Sequence, residues 1–309
     1  MKICLYGTTR IDLHIFQNTD KDITQSEQTI FDLSIKVGGS VFNTMAILSY
    51  AKFPLTYYTF LGNDIFIEQI KSLLENFSSD CIYTSVKSNP MSFLFIDNKG
   101  EKKILSYDPD FEEEPYDLIS KNMDVYDVFY FSCYSINENN SKNLSVLLKN
   151  FKLCKKIVFM DLSPLAYRID EETWNGILPY ISHLSGTQDE FNILCNIVRV
   201  KNEFRLKEKY GIDNVYIKKD KNGSTIIDIN NTSTDYAVEF IDSSNYTGCG
   251  DAYNAGIIWG NAMSLPQGSV IELAHSLAGE VAKNGLDFLH IVKNVKNKLH
   301  YTKKIVHDE

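Results

Sequence analysis

The chain contains a short glycine motif, Thr247 to Asp251, that reads Thr-Gly-Cys-Gly-Asp directly before a helical pattern. After the motif, apolar residues recur at the spacings of three and four that are typical of one helix face: Ala252, Ala255, Ile258, Trp259 and Ala262. Residues 237–241 have apolar residues at alternate positions and predict a short strand before it. Two glycines between a strand and a helix let backbone N–H groups converge, where the helix N-terminus adds partial positive charge. The motif therefore predicts a binding site for an anion, or for an oxygen that becomes one.

Asp251 ends this motif and has two interpretations. Aspartate is favoured at the N-cap and in the first turn of helices, so the motif is readable as a capped glycine turn and nothing more. A carboxylate beside an anion site also has a chemical use, because it can take a proton from an attacking hydroxyl. The motif alone leaves both interpretations open, and the rest of the chain must decide.

Composition narrows the class of protein. The chain has 309 residues, of which 44% are hydrophobic and 23% charged, as expected for a soluble globular protein with a large core. Its net charge of −9 argues against a nucleic-acid or anionic-membrane partner, since both bind basic surfaces. The six cysteines form no Cys-x-x-Cys pair, which favours thiols in a reducing compartment. With no signal peptide and no apolar run near about 18 residues, we expect a cytoplasmic protein without a membrane segment.

Strand patterns alternate with helical patterns along most of the chain. This rhythm predicts a mostly parallel sheet with helices on both faces. The predicted strands are 3–7, 55–61, 125–131, 156–161, 181–185, 215–218 and 225–229. The predicted helices are 44–51 (with Ser40 as a plausible N-cap), 65–76, 141–150, 170–179, 188–208, 269–284 and 290–299. Two β-rich patches, about 11–35 and 85–107 with a hairpin turn at 98–100, interrupt the rhythm and predict a small separate sheet.

Ligands in such folds bind beyond the C-terminal ends of the strands. The segments predicted to lie there come from distant parts of the chain: Gly38-Gly39, 62–64, Asp161, 187–190, 218–223 and the glycine motif. Their convergence at one edge favours a functional site over a simple capped turn.

These segments resemble the ribokinase-like, or PfkB-type, carbohydrate kinases. Asp12 follows the first strand and a glycine, as the sugar-binding aspartate of that family does. Residues 38–43, Gly-Gly-Ser-Val-Phe-Asn, are similar to its first signature, and residues 247–253 to its second, usually Thr-Gly-Ala-Gly-Asp-Ala-Phe. Residues 62–64, Gly-Asn-Asp, are similar to its glycine-x-aspartate after the second core strand. The order and spacing hold over nearly the whole chain.

The fold implied by the resemblance is a three-layer α/β sandwich in a single domain, residues 1–309. A mostly parallel central sheet would carry helices on both faces. A small β-sheet lid would be formed from about 11–35 and 85–107. Its exposed strand edges favour a homodimer through the lid as one arrangement.

The activity implied by the resemblance is phosphorylation of a hydroxyl of a sugar or sugar-like alcohol by ATP with Mg²⁺. Asp251 would accept the proton of the attacking hydroxyl. The N–H groups around Gly248, Cys249 and Gly250 would hold the charge that grows on the transferred phosphoryl group. The lid would close and exclude water, which competes as acceptor.

The remaining site residues are also implied by the resemblance. The residues that would bind the acceptor are Asp12, Gly38, Gly39 and Asn43. The residues that would bind the nucleotide are Lys218, Asp220, Gly223 and Thr247. Glu190 corresponds to the glutamate of the family's Asn-x-x-Glu motif, which organises Mg²⁺ and phosphate through waters. A requirement for a monovalent cation is left open.

The chain departs from the family on the nucleotide side. Thr187 stands where the family has asparagine, and residues 161–165 lack the asparagine and arginine of its Asp-x-Asn-x-Arg stretch. The nucleotide loop, usually Thr-x-Gly-x-x-Gly, is Lys-Lys-Asp-Lys-Asn-Gly at 218–223, whose lysines could supply local positive charge. Asn245 replaces a usual aspartate, and Asp242 is out of register. The resemblance therefore leaves the identity of the phosphoryl donor open.

Rival functions fit less well. A methyltransferase carries its glycine loop after the first strand, and too few residues follow Asp251 to complete that fold. A dehydrogenase needs Gly-x-Gly-x-x-Gly after an early strand, and Cys249 as a nucleophile needs a paired histidine; neither pattern is found. The serious alternative is a sugar- or nucleoside-binding sensor of the same fold with weak catalysis, although a pure binder has no use for Asp251 as a base.

Overall fold

The computed structural model describes residues 1–16, 30, 32–96, 102–109, 114–239, 241, 243 and 246–307. The strands within these ranges are β1 (Ile3–Tyr6), β2 (Arg10–Phe16), β3 (Asp32–Gly38), β4 (Leu55–Gly62), β5 (Asp80–Val86), β6 (Met91–Ile96), β7 (Lys102–Tyr107), β8 (Val128–Ser132), β9 (Ile157–Asp161), β10 (His183–Thr187), β11 (Asn214–Lys218), β12 (Ser224–Ile227) and β13 (Ser233–Tyr236). The helices are α1 (Ser40–Tyr50), α2 (Ile67–Glu75), α3 (Tyr116–Lys121), α4 (Ser141–Leu153), α5 (Glu171–Ile177), α6 (Gln188–Ile197), α7 (Glu203–Tyr210), α8 (Cys249–Ala262), α9 (Gln267–Asn284) and α10 (Phe288–His307).

The large sheet has the order β13-β12-β11-β10-β9-β8-β1-β4-β5. Its strands are parallel from β5 to β11, and β12 and β13 extend it antiparallel. The chain leaves β1 toward β4 on one side and returns to β8 on the other, so β1 is a topological switch point. Its C-terminal end is where such sheets bind ligands, and it leads directly into β2.

Helices cover both faces of this sheet. On one face α1, α2, α8, α9 and α10 bury an apolar cluster that includes Phe42, Tyr57 and Trp259. On the other face α3 to α7 bury a second cluster around Phe129 and Trp174. A fully buried aromatic side chain stabilises the fold by roughly 2–3 kcal/mol. The three layers confirm the predicted fold class.

The smaller sheet has the order β3-β2-β6-β7. β2 pairs antiparallel with β3 and parallel with β6, and β6 pairs antiparallel with β7. The two predicted β-rich patches thus do form a separate small sheet. The predicted turn at 98–100 and much of the first patch lie outside the described residues.

Several local predictions were wrong. Residues 237–239 are not in a strand, and the strand before the glycine motif is β13, which ends at Tyr236. The helix predicted over 188–208 is two helices, α6 and α7, separated by a bend in which Arg199 has a φ of 55°. β5 was not predicted, because most of its residues are only partly buried and lack a clear alternation. Among the described helices, none is long and apolar enough to cross a membrane.

Candidate active site

The N-termini of α1 and α8 meet at Asp251, in the first turn of α8. Ser40, the first residue of α1, donates from Oγ to Asp251 Oδ1 at 2.6 Å. Asn43, one turn later, donates from Nδ2 to Asp251 Oδ2 at 2.7 Å. Thr44 donates from Oγ1 to the carbonyl oxygen of Asp251 at 3.1 Å. Both carboxylate oxygens are therefore held by α1.

The start of α1 depends on the glycine pair. Gly39 is the N-cap, with a φ of 116°, and a Cβ there would lie 2.4 Å from the carbonyl oxygen of Thr8. Ser40 is thus not the N-cap that the sequence suggested. Its hydroxyl makes no cap hydrogen bond and points across to Asp251 instead.

Asp251 is an unusually weak acid for an aspartate. Burial raises its pKa to about 7, and the negative charge of Asp161 adds to this effect. The hydrogen bonds from Asn43 and Ser40 oppose it, as does the positive charge of Lys218. A carboxyl group that titrates near neutral pH is well matched to accepting a proton and giving it up again.

The backbone at the start of α8 requires glycine at one position. Gly248 has a φ of 87°, and a Cβ there would lie 2.5 Å from Leu286 Cδ2. The N–H of Cys249 donates to the carbonyl oxygen of Tyr246 at 3.2 Å. A Cβ at Gly250 would meet Lys218 Nζ at 3.4 Å, so an ammonium group lies against the helix start. Positive charge is concentrated there by the helix N-terminus and by this lysine.

Lys218 is a buried cation at this site. It ends β11, and its Nζ donates to Asp161 Oδ1 at 2.7 Å, with side chains only 13% and 7% exposed. Burial alone would lower the pKa of Lys218, but the charges of Asp161, Glu190 and Asp251 raise it above its ordinary value. Burial and the charge of Asp161 likewise raise the pKa of Glu190, while Lys218 lowers it. Three carboxyl groups and one ammonium group therefore share this region.

Glu190 also lies in the first turn of α6 and helps to cap that helix. Thr187 Oγ1 accepts from the backbone N–H of Glu190 at 3.3 Å, and Glu190 Oε2 accepts from the N–H of Thr187 at 2.8 Å. This capping box explains how threonine can replace the family's asparagine without loss of the helix. Within the described ranges, no group of three or more His, Cys, Asp or Glu residues is arranged to hold a metal ion. Glu190 as a metal contact stays a prediction.

The predicted acceptor residues lie where β2 and β3 join α1. Asp12 Oδ2 would be 2.1 Å from a Cβ at Gly38, so the carboxylate occupies the space that this glycine leaves. Burial raises the pKa of Asp12, against the effects of a hydrogen bond with Ser92 and of the charge of Arg10. Asn43 is only 5% exposed, and its Oδ1 has no hydrogen-bond partner. A buried acceptor of this kind costs free energy unless a donor reaches it.

Residues 62–64 tie the two sheets together. Asp64 accepts from the side chain and backbone N–H of Asn89 at 2.6 and 2.7 Å, and Asn89 Oδ1 accepts from the N–H of Gly62 at 2.8 Å. A Cβ at Gly62 would lie 1.9 Å from the nitrogen of Asn89. This segment therefore fixes the end of β4 to the residues that lead into β6.

The nucleotide loop forms a tight turn between β11 and β12. Gly223 has a φ of 81°, and a Cβ there would lie 2.0 Å from the carbonyl oxygen of Tyr236. Lys219 pairs with Asp235 of β13 at 3.1 Å, and Asp220 begins the 3₁₀ turn with a φ of 48°. The glycine is required by the turn itself. Of the loop lysines, it is Lys218 that reaches the helix start.

A cavity of about 740 Å³ opens at the C-terminal ends of β1 and β8. Thr8, Cys133 and Tyr134 belong to its lining. Burial raises the pKa of Tyr134, and the charge of Asp251 raises it further. The carbonyl oxygen of Thr8 lies against Gly39, so the cavity adjoins the start of α1, and it is large enough for a small polar molecule.

The structure brings most predicted residues to one place. Asn43 and Lys218 lie with Asp251 and Gly250 at the start of α8, and Glu190 interacts with Lys218 through its charge. The other predicted acceptor residues adjoin the start of α1. The nucleotide-loop turn follows Lys218 and is linked to β13. Position 245, where the sequence departs from the family pattern, lies outside the described residues. Sequence reasoning missed the contacts of Ser40 and Thr44 with Asp251, which no local pattern encodes.

Comparisons with known proteins agree with this geometry. The family model described as pfkB family carbohydrate kinase matches residues 1–286. A ribokinase from Thermotoga maritima is 18% identical, with a TM-score of 0.77, and the match covers 96% of this chain and 99% of that one. Adenosine kinase from Anopheles gambiae, solved with P1,P4-di(adenosine-5) tetraphosphate, is 15% identical, with a TM-score of 0.80 and coverage of 93% and 97%.

Phosphofructokinase-2 from Escherichia coli, solved in complex with substrates and products, is 13% identical, with a TM-score of 0.77. That match covers 97% of this chain and all of the other. No curated protein sequence matches the chain significantly. At these identities the solved structures establish the fold, and the family model establishes kinship.

Proposed function

Because the chain belongs to the pfkB family of carbohydrate kinases, we propose that it transfers the γ-phosphoryl group of ATP to a hydroxyl of a sugar or sugar-like alcohol, with Mg²⁺. The family makes it a phosphotransferase with an alcohol acceptor. The observation that carries the finer proposal is Asp251, which stands in the first turn of α8 with both oxygens held by α1.

Asp251 is proposed as the general base. Its carboxylate would take the proton of the acceptor hydroxyl as the hydroxyl oxygen bonds to phosphorus and the bond to the departing ADP oxygen breaks. A pKa of about 7, raised by burial, keeps a substantial ionised fraction at neutral pH and makes that fraction a stronger base than an ordinary aspartate.

The start of α8 is proposed as the site of developing negative charge. The N–H groups of Gly248 and Gly250, the helix N-terminus and the ammonium group of Lys218 would supply positive charge without reorganisation, whereas the N–H of Cys249 is engaged by the carbonyl oxygen of Tyr246. The residues present therefore suit a phosphoryl group. Thr247, Asp220 and Gly223 stay proposed nucleotide contacts.

The carboxylates of Asp161 and Glu190 are the groups that would hold Mg²⁺. Both are already engaged, by Lys218 and by Thr187 respectively. The fit is to an ion that keeps mostly phosphate and water ligands, as Mg²⁺ does with nucleotides. Bound there, the ion would neutralise phosphate charge.

The acceptor is proposed to bind between Asp12 and Asn43. The unpartnered Asn43 Oδ1 requires a donor, and a sugar hydroxyl is both a donor and an acceptor. Asp12, beside Gly38, offers a second acceptor for hydroxyl groups. This pairing favours a polyhydroxylated molecule over an apolar one.

The small sheet is proposed as the lid over the acceptor. Arg10 of β2 donates to Ser92 of β6 at 3.0 Å and pairs with Asp108 just after β7, so these contacts link the strands of the small sheet to one another. Leu33, Ile35 and Leu105 expose large apolar surfaces on it, at 47%, 51% and 62%. Dimerisation through this face stays a prediction.

One assay tests the function. The protein is incubated with ATP, Mg²⁺ and a panel of sugars and nucleosides, and ADP is followed. We expect acceptor-dependent ADP, reduced at least about 10²-fold in Asp251→Asn, with acceptor binding retained by calorimetry. Asp170→Asn, which changes an N-cap carboxylate of α5, is the matched control. Acceptor binding without any ADP would instead favour a sensor, which the altered nucleotide loop makes the second candidate.

A further inference from the structure

Ser40 holds the position on Asp251 that an acceptor hydroxyl needs. Its Oγ lies 2.6 Å from Asp251 Oδ1, the distance of a strong hydrogen bond to a carboxylate. Asn43 holds the other oxygen at 2.7 Å. Each carboxylate oxygen can accept more than one hydrogen bond, but a hydroxyl that is to lose its proton to Asp251 competes with the donor already bound to that oxygen, because sharing one oxygen weakens both bonds.

The two donors differ in their freedom to leave. Asn43 is 5% exposed and lies within the first turns of α1, so its amide has little space in which to move. Ser40 is partly exposed at the end of the same helix, and its hydroxyl can turn about a single bond. Ser40 is the donor that an acceptor would replace.

We infer that the Ser40 hydroxyl stays hydrogen-bonded to the proposed base, Asp251, until an acceptor hydroxyl displaces it. In this way Ser40 suppresses transfer of the phosphoryl group to water. This inference rests on the proposed function and adds a positioning residue to it. The suppressed reaction is hydrolysis, in which a water oxygen bonds to the γ-phosphorus, the bond to the ADP oxygen breaks, and the water proton passes to Asp251. Water is a weaker competitor than a sugar, because it has no further contacts with Asp12 and Asn43 to offset the loss of the Ser40 bond.

The test is ATP hydrolysis in acceptor-free buffer. A hydrogen bond to a charged group is strong enough to change a competing rate about tenfold. We therefore expect Ser40→Ala to raise phosphate release from ATP with Mg²⁺ at least about tenfold at about pH 9, where Asp251 stays ionised even though the loss of this bond raises its pKa. Ser40→Thr, which keeps the hydroxyl, should hold the rate close to the low wild-type value. Ser49→Ala, which removes a hydroxyl from the other end of α1, is the control for helix stability.

A second variant and a binding measurement separate this role from a structural one. The increase should vanish in Ser40→Ala combined with Asp251→Asn, because hydrolysis would use the same base. Calorimetry with the non-hydrolysable analogue AMP-PNP should give similar affinities in wild type and Ser40→Ala. The Michaelis constant for any acceptor found in the panel should fall in Ser40→Ala, since no internal donor competes with that acceptor.

Three results would overturn the inference. One is hydrolysis in Ser40→Ala no faster than in wild type, while wild type phosphorylates an acceptor. Another is an increase that survives Asp251→Asn. The third is phosphorylation of Ser40 in the wild type after incubation with ATP, detected by intact-mass and peptide analysis. The serine would then be an acceptor and not a residue that suppresses hydrolysis. Absence of all ATP turnover, in every variant and with every acceptor, would instead refute the proposed function itself.

Discussion

Replacing Asp251 by asparagine should stabilise the fold, and more so at higher pH. The reason is the raised pKa of this carboxyl group, about 7 against an ordinary value of 3.8, which burial causes. Ionising a buried carboxylate is unfavourable in the folded state and costs nothing extra in the unfolded chain. The amide introduced by Asp251→Asn carries no charge and avoids this cost.

The magnitude follows from proton linkage. Between about pH 4 and pH 7 the folded protein binds more protons at Asp251 than the unfolded chain does, so stability falls as pH rises through this window. The cost is about 1.5 kcal/mol at about pH 5 and about 4 kcal/mol at about pH 8, at 1.36 kcal/mol per pKa unit. Asp251→Asn should therefore gain about 2.5 kcal/mol more at the higher pH. The amide also disturbs the contact with Asn43 Nδ2, but that cost is independent of pH and cancels in the difference.

Urea unfolding of both proteins at the two pH values measures this difference. Asp170→Asn serves as the control, because hydrogen bonds from Thr173 lower the pKa of this exposed carboxyl. Asp170 is ionised in both the folded and the unfolded state at about pH 5 and at about pH 8, so its substitution should have the same effect at both pH values. If Asp251→Asn changes the free energy of unfolding equally at the two pH values, within experimental error, the burial argument is refuted.

Three further predictions concern catalysis. The kcat/KM of the wild type should rise with pH and level off above about pH 7, since the base must be ionised, and a flat profile from about pH 5 would contradict this assignment. Gly250→Ala should lower turnover at least tenfold but change the free energy of unfolding by less than about 1 kcal/mol, since its Cβ would make an ordinary contact with Lys218. Gly248→Ala should destabilise the fold by about 1–3 kcal/mol, because this position has a positive φ and its Cβ would clash with Leu286. Equal unfolding curves for the two variants would contradict this prediction. Lys218→Met should raise the KM for ATP at least tenfold, because the ammonium group would no longer bind phosphate. It should also move the acid limb of the pH profile to higher pH, because the lysine lowers the pKa of Asp251. A KM equal to that of the wild type would exclude Lys218 from the donor site.

The fold was predictable because its signals are local. The buried runs at β1 and β8 and the alternation of strands with helices are visible in the sequence, and they dictate a parallel sheet. β5 was missed because it is an edge strand with one neighbour, so its residues carry little of the burial pattern. The strand before the glycine motif was misplaced because the stretch has the apolar residues of a strand although its described residues 237–239 lie outside any strand, whereas β13 pairs with β12 through mostly polar residues.

The site was predictable only where its motifs are contiguous. The glycine motif and the glycine pair before Asn43 each encode a local backbone shape, so their positions could be inferred. Ser40 was interpreted as a helix cap, because serine before a helical pattern usually is one. Its bond to Asp251 joins residues 211 positions apart, and such a contact depends on the packing of α1 against α8.

Electrostatic charge explains both the sequence departures in the nucleotide loop and the buried lysine, Lys218. Asp161, Glu190 and Asp251 bring three carboxyl groups to the proposed phosphate site, and burial together with the charge of Asp161 raises the pKa values of Glu190 and Asp251. Where the family's nucleotide loop usually begins with threonine, this chain has Lys218, whose ammonium group reaches both Asp161 and the start of α8. A threonine could offer a phosphate one hydrogen bond but no charge. We therefore propose that this substitution strengthens the site for an anionic donor, and that the altered loop belongs to a kinase that binds its nucleotide differently more than to a protein that has lost it.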